Sequence, residues 1–512
     1  MNNTSVDKLA LAQFIYSIRK KDFLSVADDL DDSGFLKGVD NLMGHFSENY
    51  HGLLCDLDLE NRIEERFFPE QHAPKPRSIK RVMHVASLIY DTGGHTKVIK
   101  EWLTDDVHSV GLVVTRQNDL EIQQLELNEL KDSKVAGLGE LAHIDKVKEL
   151  ARLYTEWDCD LMIVHHHHYD VIPFIVRKFL PEVAIAIYNH GDHRSWIGAS
   201  LSDLVIDFRD CAQQASLERR AAPRLEKLPF KFDSSQVDQP KSDNSIHLLS
   251  MASAYKYIPS GEHDFFTFYA DFLSNHPEVQ MTIVGVDQAF FSKHTSRPCP
   301  NNLTLPGKVI NPNEYLKKAH YFIEPFPLGS LLSCLDSCEQ GAIPLTAYGH
   351  IHNIYGTGFA SIFTELDYQS STWSKEEYLR FLEEEIVSAS HRKKAIKVLS
   401  ARGESLDTVA WKKRVSEIYK SFEQPYERVQ PVISNSSETY IFDLKWHELM
   451  CKDQPENFRA AILASKKLGH RDFLVGVWYA YRLKRSTGLY FPNNDFKIMF
   501  RKLFASLSIR IL

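Results

Sequence analysis

The chain has 512 residues, of which 43% are hydrophobic and 25% are charged, and its formal net charge is −8. This composition is typical of a soluble globular protein of roughly three domains, and it excludes collagen-like and low-complexity classes. The negative charge argues against a nucleic-acid partner, because proteins that bind nucleic acids are usually basic.

The cysteine content and the lack of long apolar runs indicate the cellular compartment of the protein. The seven cysteines are scattered and odd in number, which favours a reducing environment over a disulfide framework. The N-terminus has no basic segment before its apolar patch, and no run of about 18 apolar residues occurs, so we expect neither a signal peptide nor a transmembrane helix. We therefore expect a cytoplasmic protein.

The first half of the chain combines a helical region with an alternating α/β region. Residues 1–75 are predicted to be helical, because apolar side chains recur there at helical spacing. A domain over 79–232 follows a proline-containing linker. Its predicted strands are 81–90, 110–115, 160–168, 183–190 and 204–208, and its predicted helices are 95–103, 145–157 and 171–179.

A second alternating series begins after the polar stretch 233–245 and gives a domain over 246–422. Alternating strands and helices predict a parallel, doubly wound sheet in each domain. A helical extension over 423–512 completes the chain. The second series has predicted strands at 246–253, 279–285, 321–326 and 342–347, and predicted helices at 263–277, 313–319, 331–341 and 375–403.

The most informative stretch is 321–349, where a strand ends in a Pro/Gly loop and a helix begins at Gly329-Ser330. The free N–H groups and the positive dipole end of a helix N-terminus suit a diphosphate. Asp336 lies about two turns further on, where its carboxylate could accept hydrogen bonds from ribose hydroxyls. An ordinary helix–strand turn capped by a serine is the alternative interpretation.

This stretch resembles the donor-binding signature of GT-B glycosyltransferases, in which a Gly-containing loop opens a helix that carries an acidic residue. Asp336 falls at the ribose-binding acid, and 341–344 matches the G-x-x-P turn. The common retaining enzymes have a Glu where this chain has Leu328, which is a departure from their pattern. The PFPLGS form is closer to O-GlcNAc transferases and bacterial N-glucosyltransferases, whose loop is P-F-x-x-G followed by small hydroxyl or amide residues. For the loop and the start of the helix, the resemblance implies donor contacts by Gly329, Ser330, Leu331 and Ser333.

Two further motifs carry the same resemblance. The segment SAYKYIP (253–259) is similar to an element of O-GlcNAc transferase whose lysine contacts the nucleotide diphosphate, which implies donor contacts for Ser253 and Lys256. A lysine at the carboxyl end of a strand is also a good phosphate partner on physical grounds, and a solvated lysine is the alternative. Gly93-Gly94 resembles the Gly-Gly loop near the sugar–phosphate junction, although a plain tight turn would also fit.

Histidines are dense at 165–168 and 189–196, each at the end of a predicted strand. Both groups should lie at the carboxyl edge of the sheet, facing the cleft between the domains. Neighbouring strand residues point to opposite faces, so the run of histidines does not predict a shared metal ion, and we expect no metal cofactor. His190, Asp192 and His193 are the candidates for a base that accepts the acceptor proton, with purely structural histidines as the alternative.

Together these features predict an α/β protein of the GT-B class, with two Rossmann-like domains facing a cleft. The resemblance implies a hexosyl- or N-acetylhexosaminyl-transferase that moves a sugar from a UDP-sugar to a glycan, glycolipid or protein acceptor, with bacterial surface polysaccharide synthesis as the first choice. A non-catalytic partner subunit is the alternative, favoured by Leu328, and a nucleotide-sugar epimerase is a third. Retention or inversion of the anomeric configuration stays open.

The C-terminal segment 493–512 has an apolar stripe at helical spacing with cationic flanks. This pattern is typical of an interfacial amphipathic helix and predicts peripheral association with the cytoplasmic face of a membrane. A terminal helix docked on the protein core is the alternative. The cationic flanks are Lys497, Arg501, Lys502 and Arg510.

Overall fold

The computed structural model describes residues 3–48, 52–69, 75–91, 93–125, 133–165, 167–237, 245–259, 263–345, 374–386 and 389–425. Most of the predicted C-terminal extension, including the amphipathic segment 493–512, lies outside the described residues. Among the residues that are described, no helix is long and apolar enough to cross a membrane.

Seven parallel strands form the first sheet, in the order β3-β2-β1-β4-β5-β6-β7. Strands β1, β4 and β5 are fully buried, and except for His84 and His165 their side chains are apolar or aromatic, as expected for a sheet covered on both faces. The strands are β1 (Val82–Ala86), β2 (Ser109–Val114), β3 (Lys134–Gly137), β4 (Leu161–His165), β5 (Ala184–Tyr188), β6 (Leu204–Asp207) and β7 (Leu225–Lys227).

Helices cover both faces of this sheet. The three N-terminal helices share one core with α6 and α7, so the predicted N-terminal helical region is part of the first domain's packing. Helix α4 packs on the opposite face. The helices are α1 (Asn3–Leu24), α2 (Asp32–Glu48), α3 (Leu57–Phe67), α4 (Gly94–Asp105), α5 (Asp119–Gln123), α6 (His143–Glu156), α7 (Ile172–Ile175) and α8 (Asp210–Arg219).

The second sheet has five parallel strands in the order β10-β9-β8-β11-β12 and has its own hydrophobic core. Its strands are β8 (Ile246–Met251), β9 (Val279–Val284), β10 (Leu303–Gly307), β11 (Tyr321–Ile323) and β12 (Ile343–Leu345). Its helices are α9 (Phe265–Asn275), α10 (Gln288–His294), α11 (Asn313–Lys318), α12 (Leu331–Glu339), α13 (Lys375–Ile386) and α14 (Ala389–Leu406).

The last described helix, α15 (Thr408–Lys420), returns to the first sheet. Trp411 packs edge-to-face against Trp102 of α4, with ring centroids 5.6 Å apart. Tyr419 accepts a hydrogen bond from the Trp102 indole N–H at 3.2 Å and donates one to Asp106. The sequence pattern placed residues up to 422 in the second domain, whereas this helix is packed on the first.

The predicted α/β class with two parallel sheets is confirmed. The sequence pattern did not single out β3, β7 and β10, which are short edge strands with partly exposed residues. The predicted helix 375–403 is described as α13 and α14, with 387–388 between them outside the described residues. Gly341 ends α12 as predicted, with a φ of +78° that favours glycine.

Candidate functional site

The loop before α12 and the first turn of that helix form a site that suits an anion. Ser330 is the N-cap, and the first helical hydrogen bond runs from the Cys334 N–H to the Ser330 carbonyl at 3.0 Å. The amides of Leu331, Leu332 and Ser333 precede that bond, so they have no acceptor within the helix. Backbone N–H groups at the positive end of a helix bind phosphate groups well.

Lys256 lies against this loop from the neighbouring strand β8. It is part of a short 3₁₀ helix, Ala254–Tyr257, that follows β8, and its Nζ donates to the Gly329 carbonyl at 2.7 Å. Burial lowers the pKa of Lys256 to about 8, although the carboxyl of Glu324 acts against that shift. Glu324 follows β11 and is 1% exposed. The lysine is therefore held beside the helix N-terminus at an energetic cost that an anion would relieve.

The Gly-Gly loop of the first sheet reaches the same helix from the other side. Gly93 is the N-cap of α4 with a φ of +123°, a conformation that side chains disfavour. A Cβ on Gly94 would meet the Leu332 Cδ1, so any side chain there would displace Leu332 where α4 approaches α12. One turn along α4, the Lys97 ammonium forms an ion pair with the Asp336 carboxylate. The structure thus joins the two predicted donor motifs.

A cavity of about 470 Å³ opens beside this contact. It is bounded by the Gly93 loop and one face of α4, and cations and carboxylates alternate around it. Its charged lining includes Asp91, Lys97, Lys100, Glu101 and Lys231.

Histidines from three elements meet at the carboxyl edge of the first sheet. His165 is the last residue of β4, and its Nδ1 lies 2.9 Å from the Nε2 of His190, which follows β5. His95, in the first turn of α4, donates from Nε2 to the His165 carbonyl at 3.0 Å. The ring centroids of His95 and His190 are 4.3 Å apart. His190 is therefore built into the same edge as the Gly-Gly loop.

Asp192 and His193 form a second group in the loop after β5. Asp192 is 2% exposed, and its carboxylate accepts from Arg209 Nε at 2.5 Å and lies 3.2 Å from His193 Nδ1. Burial alone would raise the pKa of Asp192, but Arg209 and His193 lower it to about 2. A carboxylate with that pKa does not accept protons near neutral pH. Asp192 is therefore unsuited to act as the base among the three candidates, and its contact with His193 orients that side chain instead.

The N-terminal helical region holds this loop in place. The buried Glu60 carboxylate of α3 accepts hydrogen bonds from the backbone N–H groups of Gly198 and Ser200, both at 2.8 Å. The backbone N–H of Trp196 donates to the Leu54 carbonyl at 3.1 Å. A segment that the sequence indicated only as helical therefore positions the loop after β5, which carries Asp192 and His193.

No family model and no curated protein matches the sequence, but solved structures do match the fold. A mutant of the Thermobaculum terrenum O-GlcNAc transferase matches with a TM-score of 0.51 and 12% identity, over 80% of this chain and 77% of that one. Anabaena HepE in complex with UDP and glucose matches with a TM-score of 0.51 and 13% identity, over 67% of this chain and 100% of that one. A Rickettsia africae glycosyltransferase matches with a TM-score of 0.53 and 11% identity, over 68% and 100%.

The chain has the GT-B fold. The predicted fold class is therefore confirmed, with the two sheets as its two domains. In this GT-B arrangement, the contact of Gly94 with Leu332 and the ion pair of Lys97 with Asp336 join the two domains. Leu331 also packs against the cores of both domains, so its side chain is part of this contact.

Several residues at this GT-B site were not singled out from the sequence. His84 is hidden within the apolar run of β1, and Arg209 belongs to a segment without a motif. Of these residues, Glu324 could most readily have been identified as a site residue from the sequence, because a carboxyl group directly after the buried strand YFI is unusual. Among the residues described by the structure, no group of three or more His, Cys, Asp or Glu side chains is placed to hold a metal ion.

Proposed function

We propose that this protein is a glycosyltransferase that transfers a sugar from a UDP-sugar to an acceptor. The observation that carries the proposal is the convergence of Lys256 and the N-terminus of α12 on one side of the domain contact with the Gly93-Gly94 loop on the other. HepE, which has been solved with UDP and glucose, shares the fold and supports UDP as the nucleotide.

In this proposal the donor diphosphate lies at the N-terminus of α12. The Lys256 ammonium and the amides of Leu331 and Ser333 neutralise the charge that develops on the leaving group, without a metal ion. Lys97 is paired with Oδ1 of Asp336, which leaves Oδ2 of that carboxylate to accept from a ribose hydroxyl. Gly329 belongs to this loop and accepts from Lys256, and Ser253 is the N-cap of the short 3₁₀ helix that carries Lys256.

The first domain supplies the acceptor side of the reaction. His190 or His193 accepts the proton of the acceptor, and Asp192 positions His193. We propose a glycan, glycolipid or protein acceptor, with bacterial surface polysaccharide as the first choice. A single positioned base of this kind contributes about 10²–10⁴-fold to the rate.

A UDP-release assay tests the activity. The purified chain is incubated with UDP-glucose and UDP-GlcNAc, with and without EDTA, and the matched control is Lys256→Met. We expect UDP release by the wild type that persists in EDTA and is lost in the variant. Release that requires a divalent cation would contradict the metal-independent mechanism.

A non-catalytic partner subunit is the second candidate function. It is favoured by Leu328, which is 9% exposed and occupies the position where the common retaining enzymes have a Glu. The same assay separates the two functions, because a partner subunit would bind the donor without releasing UDP. Addition of the cognate transferase would then be required for turnover.

We also propose that residues 493–512 bind the cytoplasmic face of a membrane, where lipid-linked acceptors are found. The four cations of this segment contribute about 1 kcal/mol each near an anionic surface. Co-sedimentation with anionic vesicles should decrease when the chain is shortened to end at Pro492. Equal binding by both chains, or none by either, would contradict this proposal.

A further inference from the structure

A line of hydrogen-bonded histidines runs through the first sheet from His190. His165 Nδ1 lies 2.9 Å from His190 Nε2, and His165 Nε2 lies 3.0 Å from His84 Nδ1. These residues belong to or directly follow β5, β4 and β1, which are adjacent strands. His84 and His165 are 0% exposed. The line therefore leads from the cleft edge into the interior of the domain.

The line ends at a carboxylate near the opposite edge of the sheet. His84 Nε2 lies 2.9 Å from the Ser109 Oγ, and Ser109 donates to the Asp106 Oδ2 at 3.2 Å. The Asp106 Oδ1 accepts from the His108 backbone N–H at 3.0 Å, and its Oδ2 also accepts from Tyr419. Asp106 thus receives donors on both oxygens, as an ionised carboxylate does.

This carboxylate fixes the direction of every hydrogen bond in the line. Ser109 uses its only proton on Asp106, so its oxygen accepts from His84 Nε2–H. A neutral imidazole carries one N–H, so His84 Nδ1 accepts from His165 Nε2–H. His165 is also 0% exposed, and as a neutral imidazole that donates from Nε2 it accepts at Nδ1 from His190 Nε2–H. The remaining nitrogen of His190, Nδ1, then carries no proton and is basic.

His84 is in the neutral form that this argument needs. Burial lowers the pKa of His84 to about 4, although Asp106 acts against that shift. The other titratable groups around the line are His95 and Tyr188 at its cleft end, and Tyr419 and His108 around Asp106. Trp102 of α4 packs edge-on against both His84 and His165 and shields the line.

We propose that His165, His84 and Ser109 are positioning residues that hold His190 as a base with Nδ1 as its proton acceptor. This inference rests on the proposed function. In the transfer step, the acceptor O–H or N–H bond breaks and its proton moves to His190 Nδ1, while the acceptor atom bonds to the sugar. The UDP leaves with the electron pair of the broken sugar–phosphate bond. Asp106 stabilises the resulting imidazolium through the line, and the proton is released to solvent after the product leaves.

Ser109 is the best place to interrupt the line, because its replacement leaves all the histidines in place. Ser109→Ala removes the hydroxyl, and Ser109→Thr restores it. Ser245→Ala is the matched control, since the Ser245 Oγ lies 3.0 Å from His247 Nε2 in the second domain and makes the same kind of contact away from the line.

Two measurements test the proposal. In Ser109→Ala we expect kcat to fall about tenfold, part of the about 10²–10⁴-fold that a general base supplies, with the KM for the UDP-sugar unchanged. The acidic limb of the kcat profile should move to lower pH, because the imidazolium loses a stabilising carboxylate. Ser109→Thr should restore both. A merely structural serine would leave the position of the limb unchanged.

The second measurement does not depend on turnover. In histidine-labelled protein, the ¹⁵N shifts of His190, identified by its absence in His190→Gln, should show an unprotonated Nδ1 in the wild type and in Ser245→Ala. In Ser109→Ala the two tautomers should mix. A protonated Nδ1 in the wild type, or identical spectra in wild type and Ser109→Ala, would overturn the proposal. Loss of the proposed function would appear separately, as a wild type that does not bind UDP-sugar.

Discussion

The low pKa of Lys256 predicts that binding of the proposed donor depends on pH. Burial lowers the pKa of Lys256 from 10.5 to about 8. This shift corresponds to a cost of about 3 kcal/mol for keeping the lysine charged. A bound diphosphate would recover this energy by returning the pKa toward its ordinary value. Since only the charged form binds the diphosphate well, affinity should fall as pH rises through 8. Between pH 7 and 9 the UDP Kd should increase about tenfold.

Calorimetric titration with UDP at pH 7, 8 and 9 measures this dependence. Lys256→Arg is the matched control, because a guanidinium stays charged over that range and its UDP affinity should therefore be flat. Lys256→Met should bind UDP more weakly at pH 7 by about 1.5–3 kcal/mol, the range for a hydrogen bond to a charged group, and should also lose the slope. A slope in Lys256→Met equal to that of the wild type would refute the assignment of this lysine to the diphosphate.

Three further predictions follow from individual contacts. Asp336→Ala should abolish a preference of about 1.5–3 kcal/mol for UDP over its 2′-deoxy or 3′-deoxy analogue in competition titrations, and an unchanged preference would contradict a ribose contact. The folded-state pKa of His84, about 4, lies below its unfolded value of 6.5, so the folded protein binds fewer protons and its stability should fall by about 2 kcal/mol from pH 7 to pH 5. Denaturant titrations should show a smaller fall in His84→Asn, and an equal fall would show that other groups cause it. Gly94→Ala should lower the free energy of unfolding by about 1–3 kcal/mol, because the new Cβ must displace Leu332, and Leu332→Ala should relieve part of that cost in a double-variant cycle; strictly additive losses would show that the two residues do not interact.

Patterns that lie within one segment of the sequence were enough to predict the fold. The buried strands β1, β4 and β5 are largely apolar runs, and Gly341 marks the end of α12 by its left-handed conformation. The weak edge strands β3 and β7 lack such runs. Helix α15 was not predicted from the sequence, and its segment alone does not show which sheet it covers, because its apolar face is the same whichever core it packs on.

In the candidate site, too, some contacts could be predicted from local motifs and others could not. The loop around Gly329 and the nearby Lys256 could be associated by motif, and the structure joins them by a direct hydrogen bond. The ion pair between Lys97 and Asp336 joins side chains from different domains, and such a contact leaves no periodic signal in the sequence. The contacts of His84 could not be predicted either, because the partners of a histidine within a strand depend on which strands lie beside it and in what register.

Binding of a UDP-sugar at the domain contact is the central claim, and a titration of the double variant Lys256→Ala, Asp336→Ala tests it most directly. UDP-glucose and UDP-GlcNAc are titrated into the wild type and the variant at pH 7, with circular dichroism as the control for folding. We predict that the wild type binds at least one donor and that the folded variant does not. Unchanged binding by the variant would contradict the claim.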